Sequence, residues 1–177
     1  MRKEYFVLGL ASLAVVLAVT LSFGGNSAND KFSLQGMVCI YKNGQLIECK
    51  HNLITNAGKD HIKECIGAGS TTSGCRMGYL ALANCTNGVS ASDTSLCNGQ
   101  EWTTCGLARA DATYNSIGTG NWSHTYQWTS SCDNAIVNAT GLFNASSGGT
   151  LFAETTFTSV TLMNGDKLNV TYYTWVQ

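Results

Sequence analysis

Residues 159–177 read SVTLMNGDKLNVTYYTWVQ, two alternating runs parted by Asn164-Gly165-Asp166. Alternation of period two, bounded by turn residues, is the pattern of half-buried strands. A three-residue loop over 164–166 sets Leu162 opposite Leu168 and Val160 opposite Val170, so the stretch is expected to form a hairpin. In that register Leu168, Val170, Tyr172, Thr174 and Val176 point inward, and Lys167, Asn169, Thr171, Tyr173 and Trp175 point outward. With Phe157 close by, Tyr173 and Trp175 form an aromatic row on the outer face. Phe157, Tyr173 and Trp175 are therefore the interface candidates, because an exposed aromatic row is a natural contact surface.

The same reading extends upstream. Gly36–His51 is a second hairpin, turning at Asn43-Gly44, a strong two-residue signal. Lys42 opposite Gln45 sets Ile40 against Ile47 and Val38 against Cys49, four residues sharing one apolar face. The register that brings Cys39 opposite Cys49 mixes Ile40 with Glu48; since a one-residue slip turns every side chain over, a Cys39–Cys49 bridge is rejected. Further strands are expected at Tyr79–Ala83, Leu107–Tyr114, Asn121–Thr129, Ala135–Ala139 and Thr150–Phe157. One short helix follows a cap at Thr55 or Asn56, with Ala57, His61, Ile62, Cys65 and Ile66 at helical spacing until Gly67. Residues 67–74 are a Gly/Ser/Thr loop, and Asn84–Gly106 is a long polar loop that needs stapling. Turn signals every ten or so residues predict a mainly β fold: a single antiparallel β-sandwich, Ig-like or jelly-roll-like, over residues 29–177.

Residues 1–28 read differently. Arg2-Lys3 precede an apolar run from Phe6 to Phe23, the pattern of a signal peptide or N-terminal membrane anchor. As a helix the run would be about 27 Å long, against a bilayer core of about 30 Å. Cleavage after Ser27-Ala28 would free residues 29–38 as a donor strand, and an uncleaved run would hold the chain to a membrane through residues 6–23. Either way the body is expected outside the cytoplasm, extracellular or on the cell surface.

Net charge is −1 and only 12% of residues are charged, which leaves no basic patch for nucleic acid. The cysteines are Cys39, Cys49, Cys65, Cys75, Cys85, Cys97, Cys105 and Cys132. An even number in a small exported chain reads as a disulfide framework. No CxxC pair occurs, and His51, His61 and His124 show no ligand spacing, so neither a metal nor another cofactor is expected. Cys65–Cys75 and Cys97–Cys105 are the predicted local bridges. Five Asn-x-Ser/Thr triplets make Asn84, Asn121, Asn138, Asn144 and Asn169 glycosylation candidates.

Several phrases occur in order: HNLITNAGKD at 51–60, YLAL at 79–82, Ser92-Asp93-Thr94, GLARA at 106–110, GLFN at 141–144, GTLFA at 149–153 and NGDKL at 164–168. The series, spread over residues 36–177, resembles a loose group of phage structural (tail-fibre-like) proteins and archaeal secreted surface proteins of β-sandwich type. The resemblance implies a structural or adhesive role and brings no catalytic residues. The leader and the cysteines depart from the phage members and favour a cell-surface protein of archaeal origin over a virion part.

Catalytic arrangements are weak. Asp60, His61 and Glu64 share a short helix, which reads as a solvated face; Asp93, Asp111, Asp133 and Asp166 are scattered, with no Ca²⁺ loop pattern. Arg109 reads as a structural ion-pair partner. The expected function is a non-enzymatic extracellular structural protein, a self-associating subunit of a filament or surface layer assembled by strand complementation. The alternatives are a membrane-anchored adhesin whose aromatic face binds surface glycans or protein, or a virion, tail-fibre-like structural protein.

Overall fold

The computed structural model describes residues 33–67 and 75–176, which lie in the compact unit Lys31–Gln177. The expected leader at 1–28 and residues 29–32 of the expected donor strand fall outside the described residues. Among the described residues no helix is long and apolar enough to cross a membrane.

In chain order the elements are β1 (Leu34–Lys42), β2 (Gln45–His51), β3 (Leu53–Ile54), α1 (Asn56–Gly67), β4 (Tyr79–Ala83), β5 (Ala110–Asp111), β6 (Thr113–Gly118), β7 (Asn121–Thr129), β8 (Ala135–Phe143), β9 (Leu151–Leu162) and β10 (Lys167–Val176). They build two five-stranded antiparallel sheets, β2-β1-β10-β7-β6 and β3-β9-β8-β4-β5. The predicted mainly β sandwich is thus the observed architecture. Alternate residues of both sheets fill the space between them, with Val38, Ile40, Leu80, Leu82, Val137, Leu142, Leu162, Leu168, Val170 and Tyr172 all buried. Burying each large side chain is worth about 1.5–3 kcal/mol.

Both sides of the sandwich are closed by chain that changes sheet. On one side β2 leads into β3 through Asn52, whose N–H donates to the Gly36 carbonyl; on the other, β5 leads into β6 through buried Ala112, whose N–H donates to Gly78. Such corners are how sheets join at their margins. β3 pairs only with Ala153 and Glu154 of β9, leaving the rest of that edge to side chains. Glu48 accepts the Thr158 N–H at 2.8 Å and its hydroxyl at 3.0 Å, and Lys42 Nζ donates to the Thr161 carbonyl at 2.8 Å. The backbone bond from Thr158 holds the Glu48 carboxyl below its ordinary value. Charged side chains on an edge block pairing with a foreign strand.

Three expectations about pairing are corrected. The segment 159–177 is not a hairpin: Leu162 lies in one sheet and Leu168 in the other, where Leu168 pairs with Lys42 and Trp128. Residues 151–162 are also one strand rather than two. Alternation says which side chains are buried, and Leu168, Val170, Tyr172 and Thr174 are, but it does not name the neighbouring strand.

The second correction concerns β1 and β2. The Asn43-Gly44 turn is present with both residues at positive φ, and Lys42 pairs with Gln45 as expected. A bulge then shifts the register, so that Ile40 meets Glu48 and Cys39 meets Cys49, and the rejected Cys39–Cys49 bridge forms. The bulge adds one residue to β2 and lets both turn and bridge keep their own registers. Ile47 lies more than a third exposed rather than on the buried face.

Third, Cys65–Cys75 is bridged as predicted, but Cys97 pairs with Cys85, and Cys105 with Cys132. Residues 107–114 likewise resolve into the short β5 and the sheet-changing β6.

The helix begins where the cap signal placed it, the Thr55 hydroxyl accepting the Gly58 N–H at 2.9 Å. Gly58 is buried against β9, and a Cβ there would overlap the Phe152 carbonyl. Ile66, expected on the packed stripe, is 73% exposed.

The long loop lies across the outer face of the second sheet. Cys85, Leu96 and Cys97 pack on Ala81, Ala83, Ala139, Phe143 and Leu151 in a second apolar cluster. Small side chains on that face let the loop lie flush: a Cβ at Gly141 would come within 3.2 Å of Leu96.

Candidate functional site

With the second sheet covered in this way, the outer face of the first sheet is the broad open surface of the fold. Its rows follow from the ladders. Gln35, Trp175 and Asn121 form one row, Met37, Tyr173 and Ser123 the next, then Cys39, Thr171 and Thr125, and finally Tyr41, Asn169 and Gln127. At the level of the third row the Cys39–Cys49 bridge ties β1 to the edge strand β2. The Thr125 hydroxyl donates to that of Thr171 at 3.0 Å.

Two hollows flank that central row. One, of about 510 Å³, is lined by Met37, Ile117, Asn121, Trp122, Tyr173, Thr174 and Trp175. The other, of about 330 Å³, is lined by Tyr41, Gly44, Thr125, Gln127, Lys167, Asn169 and Thr171. Trp175 is half-buried and meets His51 edge to face, ring centres 6.2 Å apart. Lys167 is the one charged residue in the two linings. The surface offers ring faces, amides and hydroxyls, a chemistry suited to neutral polar ligands.

Tyr173 and Trp175 lie on this face as the alternation predicted. Phe157 does not join them: it belongs to β9 in the other sheet and is 7% exposed, packed in the core. Residues 34–38 of the expected donor strand form the first half of β1, paired with both β10 and β2 of the same chain.

The five triplets have different surroundings. Asn84 and Asn121 are exposed. Asn138 is committed to Cys85, donating from Nδ2 to its carbonyl at 2.8 Å and accepting its N–H at 2.6 Å. Asn144 accepts the Thr150 N–H at 2.7 Å, closing the β8–β9 connection. Half-buried Asn169 accepts from the Thr171 hydroxyl at 3.4 Å.

The scattered acids are not brought together. Asp60 pairs with Lys63 at 2.7 Å on the exposed side of α1. Asp93 accepts the Ser90 N–H, Asp111 pairs with Arg76, Asp133 accepts the Asn164 N–H, and Asp166 takes Lys42 and the Met163 N–H. Among the described residues no group of three His, Cys, Asp or Glu is placed to hold a metal. Arg109 is the structural partner it was read as, bonded to Glu101 and to the carbonyls of Ala145 and Gly148.

Two buried titratable groups were not singled out from sequence. Glu154 is fully buried on β9, and its carboxylate oxygens make no well-formed hydrogen bond. Burial, with Asp93 nearby, pushes its carboxyl up to about 7. The signal was a lone acid in the strand Leu151-Phe152-Ala153-Glu154. His124 is also buried, its ring 5.6 Å from Tyr114, and burial lowers its imidazole to about 4.

No protein-family model matches the chain, and the search of curated proteins finds no match.

Proposed function

We propose that this chain is an exported, non-enzymatic structural protein of the cell exterior, a subunit of a surface filament or surface layer. The carrying observation is where exposed apolar side chains fall on the first sheet. Its two outer strands each present a pair: Leu46 (50% exposed) and Ile47 (37%) on β2, Tyr114 (57%) and Ile117 (55%) on β6. Apolar patches on opposite edges suit head-to-tail contact between copies, which repeats without closing. Four disulfides in so small a domain support a place outside the cytoplasm. The basic start, the apolar run and the resemblance to archaeal surface and phage structural proteins point the same way.

Strand complementation would take a particular form here. β1 lies between β2 and β10, and the Cys39–Cys49 bridge ties it to β2. The unit to exchange is the whole β1–β2 hairpin hinged at Asn52, rather than residues 29–38 alone.

The test is negative-stain microscopy of native protein beside Leu46→Lys/Ile117→Lys. Regular fibres or sheets in the native sample, lost in the variant, are expected; dispersed native particles would sink the reading. A second reading, an adhesin held by residues 6–23, is favoured by Tyr173 and Trp175 on an open face, since their rings suit stacking on sugars. Full-length chain released only by detergent, as dispersed particles, would select it.

A further inference from the structure

Two of the five acceptor triplets stand directly across a ladder from an aromatic ring. Asn121 on β7 is paired with Trp175 on β10, and Asn169 on β10 is paired with Tyr41 on β1. Residues directly opposite in an antiparallel pair project from the same face, with Cβ atoms about 4.5–5.5 Å apart. Each pair also lines one of the two hollows, Asn121 with Trp175 the larger and Asn169 with Tyr41 the smaller. We propose that Asn121 and Asn169 carry N-linked glycans whose first sugars lie in these hollows, over the rings of Trp175 and Tyr41.

The chemistry fits on both sides of a sugar ring. Its C–H face is apolar and seats on the electron-rich face of an aromatic ring. Its hydroxyl rim needs donors and acceptors, which Thr125, Gln127 and Thr171 supply in the smaller hollow. The acceptor atoms are available. Asn121 is exposed and makes no side-chain hydrogen bond among the described residues. The hydrogen bond of Asn169 engages Oδ1, not the Nδ2 to which a glycan is joined.

The same logic sorts the other triplets. Asn138 is half-buried with Nδ2 on the Cys85 carbonyl, so a sugar attached there would meet the loop lying over that face. Asn144 is half-buried in the β8–β9 connection, crowded so closely that a Cβ at Gly149 would overlap its side chain, which leaves a sugar little room. Both are expected bare. Asn84 is exposed but follows β4 with no ring paired opposite, and lies outside the proposal. Sugars on the open face would leave Leu46 and Ile47 on β2 and Tyr114 on β6 for contact between copies, with Ile117 at the margin of the larger hollow.

The inference rests on the export reading, so the experiment reports on both. Protein isolated from its source is assayed for free thiols after denaturation and mapped by glycopeptide mass spectrometry. Expected are no free thiols, sugar at Asn121 and Asn169, and none at Asn138 or Asn144. Bare Asn121 and Asn169, or equal occupancy at Asn138 and Asn144, overturn the proposal. The thiols then say whether export falls too: blocked cysteines keep it, reduced ones remove it. The packing is read by thermal melts of variants expressed in the source. Asn121→Gln should lower Tm by about 2–4 °C with Trp175 present and by little in a Trp175→Leu background. Asn169→Gln with Tyr41→Leu is the independent second cycle. Equal losses in both backgrounds overturn the stacking.

Discussion

The guanidinium of Arg109 lies 3.5 Å from the centre of the Phe143 ring while its Nε and Nη2 bond the two oxygens of Glu101 at 3.0 and 2.6 Å. Its Nη1 reaches the carbonyls of Ala145 and Gly148. One nearly buried side chain thus fastens the long loop to β8 and to the β8–β9 connection.

Arg109→Ala should therefore be costly. Removing one partner of a buried, hydrogen-bonded ion pair costs about 3–5 kcal/mol, and Arg109→Lys should recover only part, since an ammonium cannot reproduce the fork. Urea denaturation checks the magnitude. Limited proteolysis should show cleavage between residues 84 and 106 appearing first in the variant; an unchanged midpoint would remove Arg109 from this role.

The cysteine pairing makes a second prediction. Non-reducing peptide mapping should return Cys39–Cys49, Cys65–Cys75, Cys85–Cys97 and Cys105–Cys132. Cys39→Ser/Cys49→Ser should lose about 2–3 kcal/mol by loop-closure entropy. A Cys97–Cys105 peptide would contradict the observed loop path.

Between pH 4.5 and 6.5 two buried groups should offset each other, and single variants expose this. Glu154 is raised from 4.5 to about 7, so between those values the folded state binds more protons and stability falls as pH rises. His124 is lowered from 6.5 to about 4, so between those values the unfolded state binds more protons and stability falls as pH drops. Each effect is on the order of 3 kcal/mol at full extent. From these two groups the slopes cancel between pH 4.5 and 6.5. Melts of Glu154→Gln should climb with pH across that window, and melts of His124→Asn should decline. Parallel profiles for the two variants would refute the compensation.

Gly58→Ala tests how closely α1 sits on β9. Helix propensity alone would favour alanine by about 1 kcal/mol. The new methyl meets the Phe152 carbonyl rather than a flexible side chain, so a net loss of about 1–3 kcal/mol is expected, read by chemical denaturation. A stabilised variant would mean the helix rides higher on the sheet.

Features governed by short-range energetics were legible in the order of residues alone. The Asn43-Gly44 turn needs two residues at positive φ, Thr55 caps the helix three residues before the N–H it accepts, and Leu168, Val170 and Tyr172 alternate onto a buried face. The same alternation placed Tyr173 and Trp175 outward, so half of the candidate site was legible. Which strands lie side by side was set by long-range packing. A period of two distinguishes one face of a strand from the other but carries no information about which sheet the strand joins. For this reason Leu162 and Leu168 lie in different sheets, and Phe157 is in the core while Trp175 is outside. The Cys39–Cys49 bridge and the two-residue turn belong to different strict registers, and only a bulge lets one hairpin hold both. Asn121 faces Trp175 across 54 residues of chain, and loop-closure cost grows so slowly with length that local pattern cannot choose such partners. Packing the two sheets together makes that choice.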